Sequence, residues 1–88
     1  MRDAARNDVI ARLRSIAGHL KAVERMIEED KYCVDVMKQT MAVEKALERI
    51  DVLILEEHLA TCVADSFRQG KSAQTVKELA EIFSTARK

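Results

Sequence analysis

The sequence predicts an all-α protein: a three-helix protomer with one long central helix. Apolar residues recur in steps of three and four along most of the chain, the spacing of one helix face. The 88 residues contain no proline and two glycines, Gly18 and Gly70, too few turn residues for a sheet protein. Charged residues make up 34% and hydrophobic ones 48%, the balance of an amphipathic helical protein.

The first helix is expected over about residues 4–29, where Val9, Leu13, Ile16, Leu20, Val23 and Ile27 form a heptad-like stripe. It fades at Glu28-Glu29-Asp30-Lys31, a short polar connection. A second periodic run starts near Cys33 and continues through Val36, Thr40, Val43, Leu47, Ile50 and Ile54. No breaker follows until Gly70, placed as a helix C-cap glycine would be. Ser72 can then cap a third helix carrying Val76, Leu79, Ala80 and Phe83.

The middle element decides the architecture. From Cys33 to Arg68 a continuous helix would span about 54 Å at ~1.5 Å per residue. A compact globule of this chain length is only roughly 30 Å across. The apolar stripe would protrude uncovered, so another chain must cover it. An antiparallel pairing of two long helices is the simplest two-fold solution. A break near Glu56-Glu57-His58 would shorten the helix, but no strong breaker stands there. Residues 1–88 are read as a single domain, and a small one that benefits from a partner chain or a metal.

Composition narrows the function classes. No run approaches the ~18 apolar residues of a membrane helix, and no signal-peptide pattern appears, so the expectation is a cytoplasmic protein without membrane association. Two cysteines in a reducing compartment point to metal or redox chemistry more than to a disulfide. No Ser/His/Asp or Cys/His arrangement with an orienting third group is evident, nor a Gly-rich phosphate loop, so neither an enzyme nor a small-molecule substrate is expected.

Cys33, His58 and Cys62 are the candidate ligands. His58 and Cys62 lie four apart, neighbours on one helix face. Cys33 precedes them by 25 and 29 positions, offsets of about −20° and +20° at ~100° per residue. All three therefore share one face, with Cys33 roughly 38 Å away along the axis. In an antiparallel pair, Cys33 of each chain comes opposite His58 and Cys62 of the other. Two thiolates and an imidazole without an evident fourth ligand suit Cu(I). Zn(II) with water or a carboxylate as fourth ligand stays open, as does a dithiol that reports oxidation or sulfur transfer. So does simple packing, the commonest fate of a His–Cys pair at this spacing.

Net charge is zero, but residues 1–25 carry +3 and the remainder −3. Arg14, Lys21 and Arg25 share one face of the first helix, and Lys38, Lys45 and Arg49 one face of the second. Such stripes are commonly solvated faces; repeated in an oligomer, they neutralise phosphates.

The segment Tyr32-Cys33-Val34-Asp35-Val36-Met37-Lys38-Gln39, then Leu47-Glu48-Arg49 and His58-Leu59-Ala60-Thr61-Cys62, resembles the copper-sensitive operon repressor (CsoR) family, in its Cu(I)-sensing branch. The likeness runs from Arg12-Leu13, through Gly18-His19-Leu20, to Lys77-Glu78-Leu79, and the Cys…His…Cys spacing is its specific part. The resemblance implies a helical dimer of dimers that represses copper-efflux genes on operator DNA and leaves it when Cu(I) binds Cys33, His58 and Cys62. It implies that Tyr32 and Glu78 hydrogen-bond around the ligand histidine. Arg12 and Arg49 fall at basic positions the family uses for DNA; Arg14 and Lys45 are weaker candidates. Where many members have Arg, Glu and Gln after Arg-Leu, this chain has Ser15, Ala17 and His19, so the operator sequence does not carry over. His19 is read as surface polar. Two alternatives stand beside this reading: a thiol- or persulfide-responsive repressor of the same family, and a helical copper buffer that touches no DNA.

Overall fold

A computed structural model describes residues 1–86. The described residues are helical with short connections, in the order α1 (Asp3–Glu28), α2 (Cys33–His58), a π-helical turn (Leu59–Val63), α3 (Ala64–Arg68) and α4 (Ser72–Ala86). α2, the π-turn and α3 follow one another without a loop, so the long central helix is present with one wider turn inside it. The chain forms two compact units, Met1–Leu55 and the residues from Glu56 onward.

In the first unit α1 and the α2 segment to Leu55 form a hairpin. Val9, Ile16, Val43 and Ile50 make its buried core, with Ala46 and Leu53 packed against it. The expected stripe divides in two. Val9, Ile16 and Val23, seven apart, are buried, whereas Leu20 and Ile27 are 50% and 61% exposed and Leu13 is exposed with them. On α2, Val43 and Ile50 are buried while Leu47 and Ile54 are exposed. One helix facing another covers only one edge of a heptad stripe; the second edge stays exposed in the single chain.

The hairpin corner is tied tightly. Asp30 has φ 54°, the left-handed conformation usual for a residue just past a helix end. Its N–H donates to the Ile27 carbonyl at 3.1 Å, and that of Lys31 donates to Met26 at 2.9 Å. This is the paired Schellman pattern, built on aspartate where glycine is common. The Tyr32 carbonyl then accepts from the N–H groups of Asp35 and Val36 at 3.0 and 3.2 Å, opening α2. Farther along, His19 Nε2 donates to Gln39 Oε1 at 2.8 Å, joining α1 to α2. His19 is half-buried in that contact rather than a free surface group.

In the second unit Gly70, with φ 73°, ends α3 as expected. Gly70 N–H donates to the Phe67 carbonyl and Lys71 N–H to Ser66, a second Schellman pair. Ser72 is the first residue of α4 rather than a cap ahead of it. Thr75 of α4 is buried. Its hydroxyl is hydrogen-bonded to that of Ser66, which donates to the Lys71 carbonyl at 2.9 Å. Val63 and Glu57 are the other buried residues among those described in this unit.

Candidate metal centre and its surroundings

The π-turn begins directly after His58 and contains Cys62. An i→i+5 turn is wider than an α-turn and is found mostly as a single insertion at functional sites. The count of 100° per residue therefore holds from Cys33 to His58 and fails beyond it. This corrects the angle expected for Cys62, because the sequence holds no glycine or proline to mark a change of pitch. His58 and Cys62 nevertheless open on one hollow of about 530 Å³, lined also by Ser66, Lys71, Ala73, Gln74, Thr75 and Glu78. The imidazole thus stands on the last residue of α2 and the thiol in the π-turn, and α4 supplies most of the facing wall.

Within that wall Glu78 Oε1 accepts a hydrogen bond from Gln74 Nε2 at 3.1 Å, an i,i+4 pair on α4. Gln74 was not singled out by the sequence, although its spacing from Glu78 was readable. Thr61 is a second such residue. Its Oγ1 lies 2.8 Å from the Glu57 carbonyl oxygen and 3.6 Å from Cys62 Sγ.

In the first unit Cys33 is the opening residue of α2, and Tyr32 precedes it with its side chain exposed. Both cysteines are free thiols and exposed. Among the described residues no three His, Cys, Asp or Glu side chains of one chain converge as a metal site. By donor chemistry the residues fit a soft ion: one imidazole beside one thiol at the hollow, and an accessible second thiol at the start of α2.

Arg12, Arg14, Lys45 and Arg49 are all exposed on the first unit. The His19–Gln39 contact in an antiparallel hairpin sets residues level when their numbers sum to about 58, so Arg14 and Lys45 stand level. Arg12 Nε pairs with Asp8 at 3.0 Å along α1. Both partners are more than two-fifths exposed, so water and salt screen the pair and leave the guanidinium available. No helix among the described residues is long and apolar enough to cross a membrane.

Comparison with known proteins bears on the family and the fold. The family described as metal-sensitive transcriptional repressor matches residues 5–85, across both compact units. A copper-sensing transcriptional repressor CsoR of Bacillus subtilis is 35% identical over 78 residues, 89% of this chain and 77% of that protein. The CsoR of Mycobacterium bovis is 41% identical over 76 residues, 86% of this chain and 64% of that longer protein. Among solved structures, the copper-sensing repressor CsoR with Cu(I) from Geobacillus thermodenitrificans superposes with a TM-score of 0.94 at 30% identity, covering 100% of this chain and 92% of that one. These relatives are repressors, not enzymes, and the chain belongs to the metal-sensitive transcriptional repressor family.

Proposed function

We propose that this chain is a cytoplasmic Cu(I)-responsive repressor, residues 1–88 acting as one sensing and DNA-binding domain. Copies bind operator DNA without metal and release it when Cu(I) is held by Cys33 of one copy and His58 with Cys62 of another, derepressing copper-efflux genes. The observation that carries this reading is the imidazole of His58 and the thiol of Cys62 on one hollow faced by Glu78. The copper-sensing relatives and the Cu(I)-bound neighbour support the choice of metal.

α2 runs unbroken from Cys33 to His58, and a helix cannot fold back to join its own ends. A second copy, paired antiparallel, supplies the missing thiol. The exposed edge formed by Leu13, Leu20, Ile27, Leu47 and Ile54 gives that pairing its apolar surface, and two such pairs make the tetramer. Cu(I) offers a soft centre of low coordination number that two thiolates and an imidazole satisfy. Tyr32 and Glu78 orient the histidine ring through its other nitrogen. Glu78, drawn toward His58, shifts α4 and lowers DNA affinity, and DNA weakens copper binding by the same factor. Arg12, Arg49, Arg14 and Lys45 contact phosphates of double-stranded operator DNA, making binding salt-dependent.

Anaerobic Cu(I) titration of the reduced protein, with fluorescence anisotropy on DNA from its own upstream region, tests the reading. One tight equivalent per chain with DNA release, both lost in Cys33→Ala, is the expected result. Copper uptake without DNA release would make the protein a buffer. The exposure of both thiols favours one second reading, a thiol- or persulfide-responsive repressor. An intact response in His58→Ala would select it.

A further inference from the structure

The hydroxyl of Thr61 stands between two acceptors. Its oxygen is 2.8 Å from the carbonyl of Glu57, one helical turn back, and 3.6 Å from Cys62 Sγ, the next residue. All three groups lie at the π-turn or the helical turn that leads into it. A threonine hydroxyl carries one proton, so it donates fully to one acceptor at a time. A neutral thiol sulfur is a weaker acceptor than a backbone carbonyl oxygen. A sulfur bearing the negative charge of a metal-bound thiolate is a stronger acceptor than a neutral carbonyl.

We propose that Thr61 is a positioning residue for Cys62: its hydroxyl holds the sulfur at the π-turn and donates to it when the sulfur becomes a metal ligand, releasing the Glu57 carbonyl. The inference rests on the reading of Cys62 as a ligand, and adds a residue to it. No bond is made or broken apart from the exchange of one hydrogen bond for another. The transfer gives metal occupancy a local structural consequence inside the central helix, because a side-chain bond to a backbone carbonyl is one of the features that sets the path of a helix. Groups of this kind around a metal ligand alter affinity by about ten-fold or more when removed.

The test compares wild type, Thr61→Val, which keeps shape and loses the hydroxyl, and Thr61→Ser, which keeps the hydroxyl. Circular dichroism checks that each remains helical. Cu(I) affinity is measured anaerobically by competition with a chromophoric chelator, and amide hydrogen exchange over residues 57–63 is followed with and without Cu(I). The expected result is a loss of about ten-fold in Cu(I) affinity for Thr61→Val, with Thr61→Ser within about three-fold of wild type. Copper changes exchange at the turn in wild type and Thr61→Ser and leaves it unchanged in Thr61→Val. Wild-type affinity and exchange response in Thr61→Val would overturn the inference alone, as would Thr61→Ser failing together with it. Absence of Cu(I) uptake by wild type would overturn the metal reading and this inference with it.

Discussion

The two compact units are held by different chemistry. The unit to Leu55 buries aliphatic side chains at heptad spacing, Val9 and Ile16 against Val43 and Ile50, with Val23 buried one heptad farther along α1, in regular α-helix. The unit from Glu56 buries one aliphatic residue, Val63, with Glu57 and Thr75, and contains a π-turn and hydroxyl-to-carbonyl bonds. Apolar packing is non-directional and graded with area, whereas hydrogen bonds are directional and can exchange partners. The first unit thus rests mainly on aliphatic packing, and the second on a larger share of directional polar contacts. The candidate ligands His58 and Cys62 lie in the second.

Five substitutions break or sharpen that contrast. Ile50→Ala removes a side chain that is 4% exposed in the aliphatic core and should cost about 3 kcal/mol in urea denaturation. A loss below about 1 kcal/mol would mean that this core is not what holds the frame. Thr75→Val removes the hydrogen bond to Ser66, which keeps its bond to the Lys71 carbonyl, and should cost about 1 kcal/mol, the net worth of one hydrogen bond. If the valine stabilised the protein instead, the second unit would prove to be apolar in its energetics after all. Asp30→Gly should raise stability by about 1 kcal/mol, since glycine adopts φ 54° without a Cβ clash. Gly70→Ala should lower stability by a similar amount in the other unit, and paired denaturation midpoints of opposite sign check both. Smallest in stability is Arg12→Ala, a few tenths of a kcal/mol, because the Asp8 pair is exposed. Its readout is DNA binding, where the slope of log affinity against log salt should fall by about one.

The frame was largely legible in the sequence. The apolar periodicity located α1 and the start of α2 within a residue or so, and Gly70 marked the end of α3, while the π-turn that ends α2 at His58 went unexpected. Heptad spacing also held the information that half the stripe stays exposed, since two facing helices cover only one edge. The second unit was less legible. A π-turn needs no breaker residue; it arises from a balance of side-chain and backbone bonds, such as Thr61 to Glu57, that no periodicity encodes. The left-handed Asp30 hid within a run of charged residues that reads as an ordinary loop. His19–Gln39 required the register of two helices, which neither helix states alone. For the candidate site, the residue types and spacing were visible, while the partners Gln74 and Thr61 emerged only from the fold.

The corner before Cys33 has a mechanical meaning. Four residues separate Glu28 of α1 from Cys33 of α2. Glu29, Asp30 and Lys31 are each bonded back to α1, and Tyr32 is bonded forward into α2. Such a joint has little slack. In the proposed metal-bound state, a load on the Cys33 thiol would reach α1, which carries Arg12 and Arg14, through these backbone bonds. The corner would then tie the position of one sulfur atom to that of a charged surface.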